Sequence, residues 1–367
     1  MATETPLGQL TGRLPQMLAQ AGHSEMWGVE LTASSDHAPT QVVLCKFLRA
    51  NNDDVAAAEK QLVSALEWRK KMDPAGLVAQ TFDRARFGGL GYVTVHEDEA
   101  AGKETVITWN IYGSVKDKKA TFGNVQEFIK WRAALMELGV QKLRLNDIKE
   151  PIPEGGEDPH QMVQVHDYQS VSFFRMDPDV KAASRETIQT FSMAYPELLS
   201  HKYFVNVPAI MGWVFGAMKF FLAPATQRKF HPMTSGTTLA TELKPIAASL
   251  PKEYGGQGPS VKEGQTVLLS DAPASDVVDK PASAEADAVG AGEAPVAAMA
   301  DLKVDDGKVD EKPAVEAPAA QADSNTAGVD TGAGAGAEGK VGKEKIPETT
   351  AAVETPAVPV KGEVAAQ

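Results

Sequence analysis

No aromatic residue follows Tyr254 in this chain of 367 residues. That limits what can fold, because each ordered residue costs roughly 1–2 kcal/mol of conformational entropy that buried apolar surface must offset. Residues 261–367 consist largely of Ala, Glu, Val, Gly, Pro and Lys in short shuffled phrases. They are predicted to be a disordered acidic tail. Nine of the 36 basic and twenty of the 49 acidic residues lie there, so the remainder carries 27 and 29 and is nearly neutral. No basic face of the kind nucleic acid requires is legible. The tail reads as solubilising or as a segment that recruits partners.

The foldable part is about 260 residues, enough for a small domain and a larger one. Up to about residue 80 the texture is helical. Within 41–50, Val43, Leu44, Phe47 and Leu48 form one stripe. Asp53 or Asp54 can cap a second helix with Val55, Ala58, Leu62 and Leu66 on its apolar side. The pattern then changes to strands alternating with helices. Strands are predicted at 92–96, 105–111, 163–174 and 203–207, and helices from Asn124, with Glu127 in capping-box position, and over 184–199. This order implies a sheet with helices packed on it. The predicted domains are 1–80, 81–260 and the tail from 261.

Residues 204–225 are the most apolar stretch, long enough to cross a bilayer. Asn206, Pro208, Lys219 and Pro224 argue instead for a strand followed by an amphipathic helix. That helix is either a buried core element or a mobile cover that touches membrane with Trp213, Phe215, Phe220 and Phe221. The single cysteine, Cys45, cannot form an internal disulfide and fits a reducing compartment; its place in a helical stripe suggests core. The first 18 residues lack the basic start and apolar run of a signal peptide, so a cytoplasmic protein is expected.

On the 163–174 strand, His166 and Tyr168 are two residues apart and leave the same face, continued by Gln164, Ser170 and Ser172. Val163, Val165, Val171 and Phe173 form the other face, interrupted by Asp167 and Gln169. A polar face on a buried strand suggests a lined cavity, although a buried Tyr is commonly a core residue with a satisfied hydroxyl. Arg132, four residues after Phe128 and three before Leu135, falls on an apolar stripe, where a charge needs an acidic partner or a ligand. Among the histidines no metal-ligand spacing appears, and there is neither a nucleophile elbow nor a phosphate loop. No enzyme is expected.

Several phrases resemble the CRAL-TRIO (Sec-fourteen-like) family. Leu44-Cys45-Lys46-Phe47-Leu48-Arg49-Ala50, Asp54-Val55 and Glu67-Trp68-Arg69 are similar to its N-terminal module. Tyr195-Pro196-Glu197-Leu198-Leu199, Val205-Asn206-Val207-Pro208 and Lys219-Phe220-Phe221-Leu222 are similar to its lipid-binding domain, and 250–256 to its closing segment. The resemblance covers about 40–258 in the family order. It implies an α/β CRAL-TRIO fold: a mixed sheet flanked by helices, an N-terminal helical module, and a gating helix at about 210–222 over an apolar pocket. It also implies carriage of a hydrophobic ligand such as phosphatidylinositol, with peripheral association to the endoplasmic reticulum or other membranes and no obligate protein partner. The family's common Asp-x-x-Gly phrase is missing. The phrase from Val165 to Arg175 instead resembles a fungal branch that also binds haem b. That branch implies a site of Tyr112, Arg132, His166, Tyr168 and Lys202, with Tyr168 as the axial iron ligand. Tyrosinate is a recognised haem ligand, and iron must draw down a phenol pKa of about 10 to use it. Lys202 could equally contact an inositol phosphate. The resemblance leaves open a protein of haem or oxidant handling with little lipid transfer, and a non-catalytic scaffold whose acidic tail binds partners.

Overall fold

A computed structural model describes residues 5–98, 100–171, 177–209 and 228–271. The predicted gate at 210–222, the Ser172 and Phe173 positions and nearly all of the acidic tail lie outside the described residues.

The chain opens with helix α1 (Pro6–Ala21), a two-strand turn of β1 (Glu25–Met26) and β2 (Val29–Glu30), then α2 (Ala38–Ala50) and α3 (Val55–Met72). Asp54 caps α3, accepting from the amides of Ala56 and Ala57. A single turn, α4 (Pro74–Leu77), leads to β3 (Thr81–Asp83) and another turn, α5 (Arg84–Phe87). The antiparallel pair β4 (Gly91–Asp98) and β5 (Lys103–Ile111) follows. Next come α6 (Lys118–Phe122), α7 (Val125–Lys142), β6 (Met162–Asp167), α8 (Pro178–Ala194), β7 (Leu199–Val205), β8 (Phe230–Pro232) and β9 (Leu268–Ser270). Asn124 caps α7 by accepting from the Glu127 amide.

The main sheet runs β4-β5-β6-β7-β8, parallel from β5 onward. One face packs Trp109, Val163, Val165 and Tyr203 against Leu239, Ile246, Leu250 and Tyr254 of the closing segment. The other face lies beneath α7, whose buried residues join α1, α2, α3 and α8 in one core. The N-terminal helices are therefore continuous with the sheet's helical layer. Trp27 Nε1 donates to the Ala194 carbonyl at 3.1 Å, and Gln61 Nε2 donates to the carbonyls of Ser192 and Met193. Lys46, completely buried, is held by the Asp158 carboxylate and the carbonyls of His160 and Glu197.

Three expectations are corrected. The ordered chain does not stop at 260. Val261 and Val267 are buried, and β9 pairs in parallel with β3. Aliphatic side chains and backbone ladder bonds hold this segment without any aromatic residue. The predicted 163–174 strand ends at Asp167, because Ser170 adopts φ +65° and turns the chain. Cys45 is half-buried rather than core, and burial raises its thiol above the ordinary range.

Candidate functional site

Three parallel strands deliver the site. Tyr112 and Gly113 follow the carboxyl end of β5, Tyr168 follows β6, and Lys202 lies on the adjacent β7. The register sets Asn110 beside His166, His166 beside Phe204, and Gln164 beside Lys202. Crevices at the carboxyl ends of parallel strands are the usual ligand sites of such sheets. Here a cavity opens at those ends. Tyr112, His166, Tyr168 and Lys202 line it, with Phe122 of α6, Phe128 of α7 and Val180, Thr187 and Ile188 of α8.

The aromatic groups form one cluster. Tyr112 lies 5.6 Å from the His166 ring and 5.5 Å from Tyr168, and Phe204 lies 5.7 Å and 6.4 Å from the same two rings. The Tyr168 amide donates to the Val205 carbonyl, extending the ladder one residue past β6, so His166 and Tyr168 still share a face. The turn at Ser170 brings Val171 onto the cavity wall, not onto the opposite face that simple alternation assigned it.

Arg132 does not line the cavity; it stands behind it. Its guanidinium lies 5.0 Å from the Phe191 ring, one helical turn past Thr187 and Ile188. It is 1% exposed, and its Nε and Nη2 make no hydrogen bond among the described residues. The ion pair that sequence reading allowed for it is absent among the described residues. His166 feels both cations. Burial, then Lys202, then Arg132 hold its imidazole well below the ordinary range, so it is neutral near pH 7. Its Nδ1 has no hydrogen-bond partner among the described residues, and its Nε2 lies 3.5 Å from Gln164 Oε1. Thr108 Oγ1 and Asn110 Oδ1 on β5 are likewise buried without partners there. The helix-facing side of the sheet thus holds polar and cationic groups where an apolar layer would be usual.

Asp167, which broke the alternation, belongs to the other face. It accepts from Tyr254 Oη at 2.8 Å, Asn206 Nδ2 at 2.8 Å and the Gln169 amide. This ties the closing segment to the central strand. Gly113 is required by proximity: a Cβ there would stand 1.9 Å from the Gln169 carbonyl oxygen. Gly113→Ala is expected to push the Tyr168–Ser170 turn away from Tyr112 at a cost of about 1–3 kcal/mol. The urea midpoint and near-ultraviolet circular dichroism report it. An unchanged midpoint and spectrum would mean that the turn yields freely.

Residues 91–256 match the model of the CRAL/TRIO domain and residues 6–64 that of the CRAL/TRIO N-terminal domain. A protein of Sclerotinia sclerotiorum named phosphatidylinositol transfer protein sfh5 is 57% identical over 275 residues, 74% of this chain and 66% of that protein. The protein of the same name from Coccidioides immitis is 54% identical over 273 residues, 74% of this chain and 60% of its own length. The chain thus spans somewhat under two thirds of the length of these curated relatives. A solved structure, described as the crystal structure of Sfh5, superposes with a TM-score of 0.59 at 29% identity, covering 71% of this chain and 90% of that one.

Proposed function

The chain belongs to the CRAL/TRIO family, and on that footing we propose that it binds phosphatidylinositol and carries it between membranes, its cavity also taking haem b. The observation that carries the reading is the cavity itself. Aromatic and aliphatic side chains make up much of its wall, Lys202 and Lys118 outnumber the one carboxylate, Asp177, and the buried Arg132 guanidinium stands behind it. A diacyl lipid offers apolar chains and a phosphate, and haem offers an apolar macrocycle and two carboxylates. Both match this division. The names of the relatives support the lipid.

The donor set also fits haem b. Tyr168 supplies a phenol at the cavity wall, His166 a neutral imidazole beside it, and Arg132 a guanidinium whose Nε and Nη2 are unused among the described residues. Tyr168 would hold the iron, Tyr112 would lie beside the macrocycle, and Lys202 on the cavity wall and Arg132 behind it would neutralise the propionates. When bound, the group would supply a ferric, tyrosinate-ligated centre. The chain's residues bind and orient; none is assigned a bond-breaking step. No described helix is long and apolar enough to cross a membrane, and the proposed contact with membranes is peripheral.

Transfer of fluorescent phosphatidylinositol from donor to acceptor vesicles, with phosphatidylcholine as control, tests the carrier reading. Folded protein that moves neither above background would sink it. Protein purified from iron-supplied cells is expected to show a Soret band that Tyr168→Phe shifts or removes. A band unchanged in that variant would reject Tyr168 as the ligand.

A further inference from the structure

On the sheet face opposite the cavity, β7 and β8 bring two imidazoles together. Lys202 and Phe204 point to the cavity side of β7, so His201 and Tyr203 point away from it. The register sets Tyr203 beside His231. Nδ1 of His201 lies 3.0 Å from Nε2 of His231, and the Tyr203 ring stacks on His231 at 4.7 Å, fixing its plane. The pair is solvent-accessible. We propose that His201 and His231 form a two-histidine clip for a borderline divalent cation such as zinc, with water completing the coordination.

The distance supports this chemistry. Two nitrogens on a tetrahedral zinc at about 2.0–2.1 Å stand about 3.3 Å apart, so the pair must open by a few tenths of an ångström and turn both lone pairs onto one point. Lys229, the nearby cation, is balanced by its 2.9 Å ion pair with Glu197. No set of three His, Cys, Asp or Glu groups is preformed among the described residues. The two histidines belong to the strands that enter and leave the 206–229 connection. A bound ion would pin those strands together without occupying the cavity.

Zinc titrated calorimetrically into the full chain is expected to bind with about one equivalent of micromolar affinity. His201→Ala and His231→Ala should each weaken it at least about tenfold. Calcium should give no comparable binding, which separates the clip from the acidic residues of the tail. On the unaltered protein, cobalt(II) should give the intense visible absorption of a tetrahedral site, displaced by zinc, so the test survives a variant that fails to fold. The same 3.0 Å contact is also the length of an N–H···N hydrogen bond. Absence of zinc binding, a weak cobalt spectrum, or full affinity in the folded histidine variants would reduce the pair to that bond and overturn the clip.

Discussion

Arg69→Met is expected to destabilise the protein by about 3–5 kcal/mol, the usual cost of leaving a buried charge without its partner. Arg69 of α3 is completely buried. Its Nη1 donates to Glu137 Oε1 at 2.7 Å, while Nε and Nη2 grip Glu25 at 3.0 and 2.8 Å. Glu137, on α7, is itself 2% exposed and also accepts from Tyr195 Oη at 2.8 Å. Burial, then Glu137, raises the Tyr195 phenol well above its ordinary range, so it remains a donor. One guanidinium therefore joins the N-terminal helices, the helix over the sheet and the end of α8. Its loss strands a carboxylate in the core. At about 2–4 °C per kcal/mol for a domain near this size, Tm should fall by roughly 6–20 °C. Arg69→Met combined with Glu137→Met should recover much of that, because an apolar pair of similar volume removes the desolvation cost. A single-variant loss under about 1 kcal/mol, measured by urea unfolding, would show that the network is solvated and contributes little.

The network also shows what sequence reading reaches and where it stops. The phrases around Lys46, Arg49, Trp68, Arg69 and Tyr195 were legible as resemblances, but their work was not. Lys46 holds the Glu197 carbonyl, Arg49 donates to the Gly156 carbonyl, and Trp68 meets Tyr195 edge-on at 5.8 Å. Each of these contacts spans about a hundred residues or more, beyond any local period. The strands at 92–96 and 105–111 were legible because β-branched and aromatic runs lie between glycines. The strand through His166 was overextended, because Val171 continues the alternation by type while Ser170 turns the backbone. Asp167 looked like a defect in that alternation, since its partners Tyr254 and Asn206 come much later in the chain. Val261 to Ser270 escaped because their burial rests on aliphatic groups and strand pairing, which composition alone understates. Four of the five site residues do share one cavity. The fifth, Arg132, sits on α7 with Glu137. Their separation of five residues sends one charge under the helix toward the sheet and the other toward the N-terminal helices, a difference that the apolar run Ala133–Met136 between them does not announce.

Arg132 gives the second large effect, of opposite sign. Without a carboxylate among the described residues, its buried guanidinium is a cost to the ligand-free fold, met in part by the face of Phe191. Arg132→Met keeps the volume and removes the charge. The ligand-free protein is then expected to be unchanged or more stable, by up to about 3 kcal/mol, where Arg69→Met loses a similar amount. Ligand binding should move the other way. An anionic group that meets Arg132 in the bound state would lose a buried charge-assisted contact, about 2–5 kcal/mol, or a factor of roughly 30 or more in affinity. Removing Arg132 and Lys202 from the surroundings of His166 should also relax the depression of its imidazole, because both cations act on it. Urea unfolding of the ligand-free variant, together with equilibrium binding of phosphatidylinositol and of haem, separates the two roles. Lost stability with unchanged affinity would make Arg132 a structural residue whose partner forms only in the folded ensemble. Gained stability with lost affinity would mean that this buried charge is kept, at a cost to the fold, for the anionic end of the ligand.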